Sequence, residues 1–169
     1  MIHVCPLSKL EQTVSRTGAG RLVTLLSADM DMVRPALVVE PDHLYLRMND
    51  IAELRDGMTM PGEDHVRRLL SFAYEWDRAK PMVIHCYAGV SRSTAAAYIV
   101  AAALNPERDE GELAATLRWL SPSATPNPRL VSVADALLGR EGRMVAAIRD
   151  IGRGADAFEG EPFELDPFG

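Results

Sequence analysis

The sequence predicts an α/β fold with a mostly parallel central sheet flanked by helices. Three observations carry this. Short apolar runs with strand character alternate with helical patterns through the first half; Met82-Val83-Ile84 is a compact apolar run of the kind buried in the middle of a parallel sheet; and Ser91 to Ile151 reads as a block of helices. A chain of 169 residues, 47% apolar and 25% charged, is long enough to bury one real core.

The elements follow in order. Ile2 to Pro6 and Arg21 to Leu26 read as short strands, with a helix over Ser8 to Arg16 between them that leaves through Gly18 and Gly20. Leu37-Val38-Val39 and His43 to Met48 read as further strands, the second placing Leu44, Leu46 and Met48 on one face. From Pro61, the residues Val66, Leu69, Leu70, Ala73 and Trp76 recur at helical spacing, with Pro61 suited to the first turn and Glu63 and Asp64 suited to the helix dipole. Pro81 stops that helix. The run Met82 to Ile84 then delivers His85 and Cys86 to the carboxyl end of a strand, where ligands of open α/β sheets bind.

Ser91 to Leu104 is Ala-rich and apolar nearly all round, as a helix enclosed by others must be. Asn105-Pro106 closes it, and three helices follow over Asp109 to Leu120, Pro128 to Leu138 and Gly142 to Ile151. There is no internal repeat. Residues 1–151 are expected to form the functional domain, and 152–169 an acidic, Phe-containing tail expected to be solvated and poorly ordered; the alternative is that its Phe158, Phe163 and Phe168 dock onto the domain or a partner.

Composition excludes several classes. A formal charge of -6 opposes a nucleic-acid groove or a polybasic membrane patch, both of which need a cationic field. The N-terminus has no basic and long apolar leader, and Ala95 to Leu104, the longest apolar run, is about half a membrane span, so a cytoplasmic location is expected. His3, His43 and His65 make no ligand spacing with one another or with the cysteines, so no metal or other cofactor is expected. Cys5 and Cys86 are too few for a disulfide framework; Cys5 reads as core packing, with a reversible disulfide to Cys86 as the alternative.

The segment His85-Cys86-Tyr87-Ala88-Gly89-Val90-Ser91-Arg92-Ser93 carries the chemistry. Its thiol and guanidinium lie on one turn that opens into a helix, so unpaired N–H groups and the positive helix end favour the thiolate. Tyr87, Ala88, Gly89, Val90 and Ser91 are mostly small, and a positive φ at Gly89 lets successive N–H groups curl into an anion nest. Arg92 can clamp two phosphoryl oxygens through its fork, and Ser93 can donate its hydroxyl to the sulfur. His85 is expected to orient the loop rather than exchange protons with substrate. Phosphate or a similar oxyanion is the expected occupant.

This segment resembles the signature loop of the cysteine-dependent protein tyrosine phosphatase superfamily. Its mid-chain position is similar to the compact dual-specificity branch, as is Pro126-Asn127 ahead of a late helix, with Asn127 in a supporting role; the resemblance spans about Tyr45 to Leu138. It implies a protein tyrosine phosphatase-like fold and a metal-independent phosphomonoester hydrolase acting on a phosphorylated protein or peptide through a phosphocysteine. It also implies an aspartate general acid some thirty residues before Cys86. Asp50, directly after the His43 to Met48 strand, is the first choice, and Asp56, beside Gly57, is the alternative. A phosphoinositide or other small phosphomonoester phosphatase, a catalytically silent phosphate-binding module and a rhodanese-type sulfurtransferase are the competing functions.

Overall fold

The computed structural model describes residues 1–169. Five strands form one sheet in the order β3-β2-β4-β1-β5: β1 (Ile2–Pro6), β2 (Arg21–Leu26), β3 (His43–Arg47), β4 (Met82–Cys86) and β5 (Phe163–Leu165). The first four run parallel, and β5 joins the free edge of β1 antiparallel, pairing Phe163 with Val4 and Leu165 with Ile2. The apolar run at Met82 thus occupies the centre of the sheet, where a strand covered on both faces needs no polar alternation. Cys86 ends β4 with Pro6 of β1 and Leu25 of β2 opposite it.

Two cores of unequal size lie on the two faces. On one, α1 (Leu10–Thr17) packs Leu10 and Val14 against Cys5, Leu22 and Val83, with Val38 alongside. On the other, α2 (Glu63–Tyr74), α3 (Arg92–Leu104), α4 (Glu110–Leu120), α5 (Pro128–Leu137) and α6 (Arg143–Ile151) share a core with Ile84, Leu25 and Val4. Every residue of α3 from Arg92 to Ala103 is buried, and its run of alanines lets α2, α4 and α5 approach it closely. Helix starts follow their capping chemistry: Asp109 accepts from the Glu112 N–H, Asn127 accepts from the Arg129 and Leu130 N–H groups ahead of Pro128, and at α2 the Gly62 N–H donates to His65 Nδ1. Pro61 lies just ahead of α2 rather than in its first turn.

Two expectations are corrected. Leu37–Val39 forms a turn, closed by Val38 N–H to the Pro35 carbonyl; only Val38 is buried, while Leu37 and Val39 stand 58% exposed, and the prolines at 35 and 41 leave no length for a ladder. The tail is ordered. Phe163 and Leu165 bury their side chains in the larger core, Lys9 pairs with Glu161 at 2.7 Å, Ser8 donates to Glu159 at 2.7 Å, and Arg118 holds the exit of α6 through the Ile151 and Gly152 carbonyls. An open strand edge supplies what the acidic composition of the tail concealed, a row of unpaired main-chain groups to bond with. Of the three phenylalanines, only Phe163 is buried; Phe168 is half exposed with the Arg78 guanidinium 5.1 Å over its ring, and Phe158 is largely exposed.

Candidate active site

The turn between β4 and α3 is a cradle whose main-chain orientation follows from its outward hydrogen bonds. The Tyr87 carbonyl accepts from Leu7 N–H at 3.0 Å, Ala88 from Gly160 at 2.8 Å, Val90 from Thr125 at 2.9 Å and Ser91 from Asn127 at 3.3 Å. In a trans peptide the carbonyl and the next N–H point in opposite directions. With these four carbonyls bound to the surrounding scaffold, the N–H groups of Ala88, Gly89, Ser91 and Arg92 turn inward, toward the space above Cys86. One of them already meets the sulfur, since Gly89 N–H donates to Cys86 Sγ at 3.3 Å. The closure depends on Gly89: its φ is +71°, and a Cβ there would lie 2.7 Å from Pro6 N and 2.9 Å from the Cys5 carbonyl carbon.

Cys86 is 2% exposed at the floor of this cradle, with Ser93 Oγ 3.1 Å from its sulfur. Arg92 is 6% exposed; Nη1 donates to the Met48 carbonyl at 2.9 Å, while Nε is buried with no protein partner. The Nε atoms of Arg21 and Arg118 are likewise buried without a partner, so what sets Arg92 apart is its place at the head of α3, six residues after Cys86, where the fork suits an oxyanion. The bond to Met48 also ties the guanidinium to the main chain where β3 passes into the segment bearing Asp50.

Asp50 stands at the rim. Its Oδ1 accepts from Ser91 Oγ at 2.7 Å and from Asn127 Nδ2 at 2.8 Å. Because Asn127 Oδ1 caps α5, its amide nitrogen must face Asp50 and the Ile51 carbonyl, which fixes the orientation of the side chain. Both bonds fall on Oδ1, and Oδ2 takes part in neither. Asp56 is exposed beyond this network, in a loop where every residue from Ala52 to Thr59 is exposed. The structure therefore brings Asp50, Asn127, Ser91, Arg92, Cys86 and Ser93 together and leaves Asp56 apart. Of the other loop residues, Tyr87 is half exposed on the rim, while Ala88 and Val90 contribute main chain.

His85 lies under the cradle rather than in it. It is completely buried on β4, with Nε2 2.7 Å from Thr24 Oγ1, which in turn lies 2.8 Å from His43 Nε2. Nδ1 has no hydrogen-bond partner. Burial pushes the imidazole down to about 4, against a smaller upward effect of the neighbouring Cys86 main chain. The ring is thus neutral at physiological pH and holds β4 to β2. Cys5 belongs to the small core and Cys86 to the large one, so the sheet separates them, and burial pushes the Cys5 thiol up to about 12. That placement opposes a disulfide between them. No three His, Cys, Asp or Glu side chains converge as a metal site.

Three supports escaped sequence reasoning. Thr24, Thr125 and Gly160 lie 62, 39 and 74 positions from Cys86, and only folding sets them against the cradle. Gly160 is required there, since a Cβ would lie 2.8 Å from the Gly89 carbonyl oxygen. A glycine within an otherwise acidic and aromatic tail was its one signal.

No family model and no curated protein sequence matches the chain. Solved structures do. The Cydia pomonella PTP-2 phosphatase is 22% identical with a TM-score of 0.63, over 80% of this chain and 84% of that one. DUSP15 is 15% identical with a TM-score of 0.61, over 88% and 90% of the two chains. PTPMT1, solved in complex with PI(5)P, is 14% identical with a TM-score of 0.59, over 87% and 93%. The chain has the fold of the protein tyrosine phosphatases, in the compact form of the dual-specificity type.

Proposed function

We propose that the chain is a phosphomonoester hydrolase of the cysteine-dependent protein tyrosine phosphatase superfamily, metal-independent, and acting in the cytoplasm on phosphorylated protein or peptide, with phosphotyrosine as the preferred class. The observation that carries this reading is the cradle: a sulfur at its floor, main-chain N–H groups turned toward it, and a buried arginine with its Nε unpaired at the head of the helix that follows. Such donors strengthen as charge spreads over the equatorial oxygens of the transition state.

In the first step the Cys86 thiolate attacks phosphorus in line. The bond to the leaving oxygen breaks, and Asp50 gives that oxygen its proton. In the second, water attacks the phosphocysteine, Asp50 takes the proton of the water, and the sulfur leaves as thiolate, with the hydroxyl of Ser93 donating to it. Asn127 and Ser91 hold Asp50 over the cradle in both steps.

Turnover of para-nitrophenyl phosphate tests the reading: activity should survive EDTA, be blocked by vanadate, and vanish in Cys86→Ser. Phosphopeptide binding with no turnover by the wild type would leave only a binding module. The fold shared with PTPMT1, which was solved with PI(5)P, favours a phosphoinositide phosphatase as the second reading. Against it, no lysine or arginine stands between Cys86 and Arg92 to meet further phosphates.

A further inference from the structure

We propose that the C-terminal segment builds a second, apolar subsite against the cradle, which takes a bulky apolar side chain next to the phosphorylated residue of a peptide. The inference rests on the phosphatase reading for its phosphorylated ligand. A groove of about 250 Å³ runs beside the phosphate loop, walled by Leu7, Tyr87, Ala88 and Phe158, with Ser8 and Glu159 at its edge. Ala88 belongs to both: its N–H turns into the cradle, and the residue also lines the groove. The groove and the cradle therefore share a wall residue, so an occupant of the groove lies next to a substrate whose phosphoryl group is held in the cradle.

Phe158 is held open on purpose-built main chain rather than frayed. It is 88% exposed, yet Ala155 N–H is bonded to the Pro122 carbonyl and Gly160 N–H to the Ala88 carbonyl, both at 2.8 Å, on either side of it. Ser8 Oγ secures the adjacent Glu159. An exposed phenylalanine on bonded main chain, sharing a groove with a half-exposed tyrosine of the phosphate loop, is a surface suited to an apolar partner. The volume fits one aliphatic or aromatic side chain and falls short of a drug-sized ligand.

Charge selects the source of that side chain. Glu159 borders the groove, Glu161 follows close behind, and the chain carries a net charge of -6, a field that repels an anionic bilayer and a polyphosphorylated headgroup. The same field accepts a peptide with neutral or basic neighbours. The occupant is thus an apolar residue flanking the phosphotyrosine, and Phe158 is the residue that sets the preference.

Equilibrium binding to Cys86→Ser by fluorescence anisotropy tests this. Phosphotyrosine peptides would be varied one position at a time, immediately before and after the phosphotyrosine, among Leu, Ser and Glu. At one of the two positions Leu should bind about tenfold more tightly than Ser, with Glu weakest, and adding Phe158→Ala should bring the Leu-to-Ser ratio to within about twofold. A ratio near one in the parent, or one that survives Phe158→Ala, overturns the proposal. So does a flat peptide series alongside Phe158-dependent binding of a soluble short-chain phosphoinositide. Para-nitrophenyl phosphate turnover by the wild type reports separately on the phosphatase reading, because the binding ratio needs no chemistry.

Discussion

Two loops border the candidate site, and each turns on a glycine with nearly the same backbone angle, +71° at Gly89 and +72° at Gly57. Their surroundings differ completely. Around Gly89 the carbonyls of Tyr87, Ala88, Val90 and Ser91 are bonded to three separate parts of the chain, and the Cβ position is filled by Pro6 and Cys5. At Gly57 an added Cβ would meet nothing within 4 Å beyond its chain neighbours, and the hydrogen bonds are internal: Met58 N–H to Arg55, Asn49 N–H to Thr59, and Thr59 N–H to the side chain of Asn49. The part proposed to grip a dianion is tied to the rest of the fold before any ligand arrives, whereas the part leading away from Asp50 is held by bonds within itself.

That contrast breaks most visibly at Gly89. Alanine there meets both a disfavoured φ and main-chain atoms that cannot retreat, so the cradle opens and its N–H groups lose their aim. A fall in kcat/KM of about a thousandfold is expected, on the scale of losing a preorganised oxyanion donor. Circular dichroism would confirm that the sheet persists, and a variant retaining a tenth of wild-type activity would refute the rigid cradle.

The underside of the cradle yields the next largest effect, this time on stability. The folded protein keeps His85 neutral down to about 4, whereas in the unfolded chain the ring takes up a proton below its ordinary 6.5. The unfolded state therefore binds more protons across that window, and stability is full above pH 6.5 and drains as the pH falls toward 4, by about 3 kcal/mol from this group. His3 and His43 shift in the same direction, so the contribution is isolated by comparison with His85→Asn. Urea unfolding at pH 7 and pH 4.5 should show the wild type losing more stability than the variant. Equal losses would mean that His85 is protonated in the fold.

At the junction of the two loops stands Asp50, anchored by Ser91 and Asn127 on the cradle side while the chain beyond it is exposed. Asp50→Asn should lower kcat by about a hundredfold with a phosphotyrosine peptide, the worth of a general acid. The loss should shrink for aryl phosphates whose leaving group needs no proton. Asp56→Asn should leave kcat within about twofold. A reversal of these two effects would transfer the acid to the exposed loop.

How far the sequence foretold this arrangement depends on the range of the interactions involved. Met82 to Cys86 and Arg92 to Leu104 were legible because burial on all sides writes itself as an unbroken apolar run. Asn127 was legible as a helix start, since capping is local chemistry; its second bond, to a carboxylate 77 positions away, was not. Strand β5 was hidden for the opposite reason. Three residues carry no period, and Phe163–Leu165 is a strand only because β1 offers an edge. Leu37–Val39 had the apolar residues of a strand and no neighbour to pair with. Local chemistry thus revealed the cradle, and long-range hydrogen bonds that no pattern announces hold it in shape.

The smallest effect is expected at Gly57, and it is the most direct control on the comparison. Alanine at φ +72° costs about 1 kcal/mol in backbone strain, partly offset by the reduced freedom of the unfolded chain. With open space around it the side chain displaces nothing, so the melting temperature should fall by no more than about 3 °C and kcat/KM should stay within about twofold. Gly57→Ala and Gly89→Ala then share a backbone penalty and differ only in what the methyl group strikes. If both abolished activity, the loop after Asp50 would be as tightly specified as the phosphate cradle. If neither did, the crowding of Pro6 and Cys5 against Gly89 would be relieved by movements that leave the N–H groups in place.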